Sequence, residues 1–108
     1  MAPRWAPADD VGLAPEEVRA AIRPPPMFQV VMLNDDFTPM EFVVGVLERV
    51  FRLPHPHAMQ VMLDVHQKGM GVCGVYTREV AETKASLVLE LARDQDHPLQ
   101  CLVEPVPD

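Results

Sequence analysis

The chain has 108 residues, enough for one small domain with one hydrophobic core and too few for two. Hydrophobic residues make up 48% and charged residues 23%, as in ordinary globular proteins. No apolar run of about 18 residues predicts a membrane span. The net charge of −7 repels phosphate backbones, so we expect no nucleic-acid partner, whereas it suits a cationic ligand such as an amine. The start lacks a charged-then-apolar leader pattern, so we expect a cytoplasmic protein, with Cys73 and Cys101 as buried free thiols.

The first segment of the chain differs in composition from the rest. Residues 1–26 hold six of the twelve prolines, which disfavours regular packing. Residues 15–22 begin with a proline and two acids and suit two turns of helix, but the three prolines at 24–26 end it. We therefore predict a flexible, proline-rich N-terminal arm over residues 1–26 and a core domain over residues 27–108. An arm without function is as plausible as a functional one at this point.

A strand, a polar turn and a helix start follow in close succession. Residues 27–33 predict a strand, and the Asn-Asp-Asp triplet at 34–36, here called the acidic loop, is rich in turn formers. Thr38 is predicted to cap the next helix, because a proline follows it and Glu41 completes a capping box. Apolar residues at three- and four-residue steps extend this helix over residues 38–52.

The second predicted helix carries a histidine on an unexpected side. It spans residues 56–68, and Gly69 is suited to its C-terminal cap. On a helical wheel His66 falls between Met59 and Met62, away from the polar face. Such a histidine is either a buried group with a hydrogen-bond partner, which is the commoner case, or the polar lip of an apolar pocket.

The remaining elements complete an α+β pattern. Residues 70–76 predict a strand, residues 78–94 a helix capped by Thr77, and residues 99–103 a last strand. Lys84 lies within the apolar arc of that helix, so either its stem follows the apolar surface or its charge faces a partner. The order strand, helix, helix, strand, helix, strand predicts a small α+β sandwich, with helices on one or both faces of a three-stranded sheet. The pattern leaves the strand pairing open.

Polar acceptors and flexible apolar residues together suggest a site for an amine. An ammonium offers donors and no acceptor, so it suits carboxylate, amide and neutral imidazole acceptors, and methionines suit a pocket for aromatic side chains. Such a site recognises the first residue of a peptide. Turn formation, helix entry and core packing also explain these residues. The candidates are Asn34, Asp35, Asp36, Thr38, Met40, Met62, Val65 and His66.

Catalysis and metal binding have weaker support. A hydrolase needs a nucleophile, Cys73 or Thr38, beside His66, but no Gly-x-Ser-x-Gly elbow accompanies them. His55 and His57 with a carboxylate are a weak metal pattern. We therefore predict no enzyme, no catalytic residue, no metal and no cofactor.

Three stretches resemble a known family. LNDDFTPMEFV, MLDVHQKGMGVCGVYTREVAETK and HPLQC closely resemble the ClpS family of bacterial protease adaptors, and the similarity covers about residues 22–104. The resemblance implies a three-stranded antiparallel sheet with three helices in the order β-α-α-β-α-β. It also implies a non-catalytic adaptor of the N-degron (N-end rule) pathway, which binds free N-termini beginning with Leu, Phe, Tyr or Trp. Such adaptors deliver substrates to a ClpA-type AAA+ unfoldase that works with the ClpP peptidase.

The resemblance also implies residue roles. The substrate's N-terminal amine is expected at Asn34, Asp35, Asp36 and His66. The side-chain pocket is expected to comprise Thr38, Met40, Val43, Val46, Met62, Val65 and Leu99, with Met40 as a gate against β-branched first residues. The N-terminal domain of the unfoldase is expected to contact Glu79, Glu82 and Lys84, and the arm to assist delivery. The alternative function is a non-catalytic α+β scaffold module that binds a partner protein through its helices.

Overall fold

The computed structural model describes residues 25–107, which fold into three strands and three helices. In chain order they are β1 (Met27–Leu33), α1 (Met40–Arg49), α2 (His55–Lys68), β2 (Met70–Thr77), α3 (Arg78–Asp94) and β3 (Gln100–Pro105). The predicted α+β fold class and element order are confirmed. The predicted arm, with its short helix at 15–22, lies outside the described residues except for Pro25 and Pro26. No helix within residues 25–107 is both long and apolar enough to span a membrane.

The strands form one antiparallel sheet in the order β2-β1-β3. In the central strand Met32 lies opposite Gly71 on one side and Cys101 on the other. The helices cover a single face of this sheet, because α2 packs on β2, α3 packs on all three strands, and α1 packs on α2. Val30 and Met32 point into this core, whose members from the helices include Leu47, Val61 and Val88. The opposite face of the sheet is open and carries the exposed side chains of Val72, Val75 and Leu102.

Several predicted boundaries shift. Helix α1 begins at Met40 and ends at Arg49, so the predicted span 38–52 is too long at both ends. Its N-cap is Pro39 and no side-chain cap bond forms, so the predicted Thr38 capping box is wrong. Arg52 has a positive φ of 58°, and this backbone conformation prevents the helix from continuing to residue 52.

The other elements lie within one or two residues of their predicted ends. Helix α2 starts one residue early, at His55, and strand β3 runs from Gln100 to Pro105 rather than over 99–103. Thr77 precedes α3 as predicted, although its side chain forms no cap bond. These shifts leave every predicted element in place.

Two glycines fix where α2 ends and how closely it approaches the sheet. Gly69 has a φ of 89° and its amide donates to the Val65 carbonyl at 3.0 Å, which confirms it as the C-terminal cap. A Cβ at Gly71 would lie 2.9 Å from a Val65 methyl and 3.0 Å from the Val61 carbonyl oxygen. Only glycine therefore lets β2 come this close to α2, the helix that carries His66.

The two cysteines are buried free thiols, as predicted. Burial, with the neighbouring Cys101 as a smaller cause, raises the pKa of Cys73 far above its usual value. Burial also raises the pKa of Cys101 to about 12. Both side chains are therefore protonated at neutral pH, and neither has the thiolate that a nucleophile requires.

Candidate peptide-binding site

A cavity of about 340 Å³ opens between the acidic loop, the start of α1 and the last turns of α2. Its volume lies at the lower end of ordinary ligand pockets, about 300–1,000 Å³. All eight residues that the sequence suggested for an amine and side-chain site line it. The lining residues are Asn34, Asp35, Asp36, Phe37, Thr38, Pro39, Met40, Val43, Met62, Val65 and His66.

The floor of the cavity is apolar and buried, and its mouth is flexible. Val43, Met62 and Val65 are at most 6% exposed and face the cavity from α1 and α2. Met40 begins α1 and is 46% exposed, so its unbranched side chain stands at the mouth and is free to change rotamer. This arrangement suits an apolar side chain that enters past Met40.

Two residues expected in the pocket lie in the core instead. Val46 and Leu99 are 0% and 2% exposed and belong to the central hydrophobic cluster. Both therefore lie among the core side chains rather than on the cavity surface.

Asp35 organises the acidic loop from within. Its Oδ1 accepts hydrogen bonds from the backbone amides of Phe37 (2.8 Å) and Thr38 (2.7 Å), and its Oδ2 accepts one from the Thr38 hydroxyl (2.7 Å). Partial burial by itself raises the pKa of Asp35, but these hydrogen bonds and the nearby His97 outweigh it and hold the pKa below its usual value. The Thr38 hydroxyl is directed at Asp35, and the N-cap position of α1 is occupied by Pro39.

A backbone bond connects the loop to α2. The Asn34 amide donates to the Gly69 carbonyl at 3.0 Å, so the end of β1 is joined to the cap of α2. This bond brings the acidic loop beside the last turn of α2, where His66 lies. The two stretches are 32 residues apart in sequence, as counted from Asn34 to His66.

The mouth presents three acceptors without another partner in the described part of the chain. Asn34, Asp36 and His66 are exposed, and within residues 25–107 their side chains form no hydrogen bond or ion pair with the protein. The commoner interpretation of His66, a buried histidine, is wrong. His66 is exposed in the last turn of α2 and lines the cavity, whereas its neighbour Val65 is buried and packs beside Gly71 of β2.

Lys84 has an intramolecular partner. Its Nζ donates to the Val50 carbonyl, just after α1, at 2.7 Å, and lies 5.2 Å from the centre of the Tyr76 ring. The half-buried stem follows the apolar surface as predicted, but the ammonium binds a backbone acceptor at the end of α1. Glu79 and Glu82 are exposed on α3, and Glu82 pairs with Arg78 at 3.1 Å.

The described residues do not provide the geometry that hydrolysis or metal binding would need. Cys73 is buried in the sheet core, and the Thr38 hydroxyl donates to Asp35 rather than to His66, so neither candidate nucleophile is hydrogen-bonded to the histidine. Within the described part of the chain no group of three or more histidine, cysteine or acidic side chains can hold a metal. Sequence reasoning missed Phe37 and Pro39 as lining residues, although an aromatic residue directly after the polar turn was a signal for the first.

The fold and the cavity thus define a small binding protein with an acceptor-rich mouth over an apolar floor. The sequence profile described as "ATP-dependent Clp protease adaptor protein ClpS" matches residues 23–102. The chain therefore belongs to the ClpS family, whose members are non-catalytic adaptors of Clp proteases.

Related proteins match this chain over most of its length. The ATP-dependent Clp protease adapter protein ClpS of Cupriavidus taiwanensis is 51% identical over 106 residues, 96% of this chain and 98% of that protein. The ClpS of Hyphomonas neptunium is 57% identical over 88 residues, 82% of this chain and 75% of that protein. The structure of Agrobacterium tumefaciens ClpS2 bound to L-phenylalaninamide matches with a TM-score of 0.74 and 40% identity, covering 77% of this chain and all of that one.

Proposed function

We propose that this protein binds the free N-terminus of substrates that begin with Leu, Phe, Tyr or Trp and delivers them to a ClpA-type AAA+ unfoldase coupled to ClpP. The observation that carries the proposal is the cavity, which combines a buried apolar floor with acceptors at its mouth that have no partner among residues 25–107. The ligand of the Agrobacterium relative supports it, because L-phenylalaninamide has a free amine and a blocked carboxyl group, like the first residue of a peptide. In this proposal the protein works in the cytoplasm.

The amine is bound by Asn34, Asp36 and His66. An ammonium has three donors, and these side chains supply an amide oxygen, a carboxylate and, when neutral, an imidazole nitrogen. Asp35 adds negative potential, but both of its oxygens already accept hydrogen bonds within the loop. We therefore assign the direct ionic contact to Asp36 and the shape of the loop to Asp35.

The side chain of the first residue enters the apolar part of the cavity. Burying an aromatic or leucine side chain there contributes roughly 1.5–3 kcal/mol. Removing the charge of the amine leaves Asp36 without its partner, and the cost is about 2–5 kcal/mol if the bound peptide covers this otherwise exposed carboxylate. Because both contributions are needed for tight binding, internal peptide segments and small first residues are excluded.

The unfoldase contacts the start of α3. Glu79 and Glu82 are exposed there, and the neighbouring Val80 is 43% exposed, which gives a mixed apolar and acidic surface suited to a protein contact. Lys84 contributes to this surface chiefly by holding α3 against the end of α1. The arm, residues 1–26, is proposed to assist delivery.

Fluorescence anisotropy with labelled peptides that differ only in their first residue tests the proposal. Phe, Tyr, Trp and Leu peptides are expected to bind, and Ile and Val peptides to bind at least about tenfold more weakly. Absence of binding by all six would contradict the proposal. If the protein nevertheless bound the unfoldase, and Asp36→Ala and His66→Ala left that binding unchanged, the scaffold function would replace the proposed adaptor function.

A further inference from the structure

Phe37 is the most exposed of the large hydrophobic side chains within residues 25–107. It is 78% exposed, compared with 54% for Met70 and 46% for Met40. It also lines the mouth of the candidate cavity, next to the acidic loop. A ring in solvent gains no stability from burial, and exposed apolar surface that lines a groove, as Phe37 and Met40 both do, marks a ligand contact.

The backbone that carries this ring is held in place. The Phe37 amide donates to Asp35 Oδ1 at 2.8 Å, and the next amide donates to the same oxygen. The ring itself is not stacked within the described chain, where the aromatic pairs are Phe42 with His97 and Phe51 with Tyr76. Phe37 thus combines a fixed backbone with an unoccupied ring surface.

A bound peptide has to leave the cavity across its rim. Each extended residue advances the chain by about 3.3–3.6 Å, and successive side chains point to opposite sides. With the first side chain on the floor and the amine at Asn34, Asp36 and His66, the second and third residues lie within one or two such steps of the mouth. Phe37 is a large apolar group at that mouth, and it belongs neither to the apolar floor nor to the amine contacts.

We propose that Phe37 is a specificity-determining rim residue that packs against an apolar side chain at the second or third position of the substrate, whichever of the two points toward the acidic loop. This inference rests on the proposed function and extends it beyond the first residue. It predicts that the protein distinguishes substrates that share the same first residue.

The test compares two labelled peptides, one beginning Phe-Leu-Leu and one beginning Phe-Gly-Gly, by anisotropy. The wild type is expected to bind the Leu-Leu peptide about fivefold more tightly, and Phe37→Ala is expected to reduce that ratio to about one. Phe37→Ala retains the amide that bonds to Asp35, and Phe37→Tyr is expected to retain the ratio. Leu102→Ala, an exposed residue on the open face of the sheet, is the matched control and should leave the ratio at about fivefold.

If Phe37→Ala left the ratio of the affinities for the two peptides unchanged, the rim contact would be overturned. This holds even if both affinities fell, because an equal loss for the two peptides indicates a structural role of Phe37. Equal reduction of the ratio by Leu102→Ala would overturn it as well. Binding of L-phenylalaninamide to the wild type, measured by competition, separates the two proposals. Failure of that ligand to compete would refute the proposed function together with the rim contact, whereas competition with an unchanged ratio would refute the rim contact alone.

Discussion

Replacing Asp35 by alanine tests how the acidic loop is built. The change removes one carboxylate that accepts three hydrogen bonds of 2.7–2.8 Å. Hydrogen bonds to charged groups contribute about 1.5–3 kcal/mol each, but the contributions are not additive and the carboxylate is only partly buried, so water replaces part of the loss. We expect the free energy of unfolding to fall by about 1–2 kcal/mol, as for the loss of a helix cap. The corresponding decrease in melting temperature is roughly 4–16 °C.

Asp36→Ala is the matched control for this change. The Asp36 side chain is exposed and has no protein partner within the described residues, so its removal should change stability by less than about 0.5 kcal/mol. Urea unfolding followed by circular dichroism measures both variants, and peptide anisotropy measures their binding. Asp35→Ala should lose stability and affinity, whereas Asp36→Ala should lose affinity alone. Equal stability of Asp35→Ala and the wild type would refute the role assigned to Asp35.

The same carboxylate predicts a pH dependence. Although partial burial by itself raises the pKa of Asp35, hydrogen bonds from Thr38 and Phe37 lower it below its usual value, so the folded loop favours the charged form. The stability that Asp35 contributes is therefore fully present above the unfolded-state pKa of about 4 and is lost as the pH falls through the folded-state pKa. The stability difference between the wild type and Asp35→Asn should be constant from pH 5 to 7 and decrease below about pH 4. A difference that grows on acidification would contradict this assignment.

Three further predictions concern residues around the site. Gly71→Ala adds a Cβ 3.0 Å from a backbone carbonyl of α2, so it should destabilise the fold by about 1–3 kcal/mol and weaken peptide binding; unchanged melting and affinity would contradict the close packing. Lys84→Met removes the donor to the Val50 carbonyl and should cost about 1–2 kcal/mol in urea unfolding, whereas Lys68→Met, at an exposed ion pair, should cost less than about 0.5 kcal/mol; equal effects would refute the internal role of Lys84. Met40→Ala opens the mouth and should reduce the preference for Phe over Ile first residues roughly tenfold in anisotropy, and an unchanged preference would show that Met40 is not a gate.

Local sequence signals predicted the elements because each element has its own start and stop residues. Gly69 capped α2 as its position indicated, and the apolar spacing of α3 matched its observed span. Strand order did not follow from these signals, since pairing β1 between β2 and β3 depends on contacts distant in sequence. The resemblance to a known family supplied the antiparallel sheet.

The predictions that failed around the site depended on contacts between residues that local sequence patterns do not show. Thr38 has the sequence features of a helix cap, but its hydroxyl and amide both donate to the Asp35 carboxylate, and Pro39 takes the cap position instead. The wheel position of His66 suggested burial, because a wheel shows on which side of a helix a residue lies but not whether a neighbouring element covers it there. Lys84 likewise bonds to Val50, 34 residues away, which no local pattern indicates.

The most direct measurement of amine capture compares one Phe-initiated peptide with a free amine and the same peptide acetylated at its N-terminus. Acetylation removes the charge and most of the donors while keeping the side chain, so it isolates the contacts of Asn34, Asp36 and His66. We predict that the acetylated peptide binds at least about 30-fold more weakly, the equivalent of about 2 kcal/mol. Affinities within about twofold of each other would contradict recognition of the N-terminal amine by this cavity.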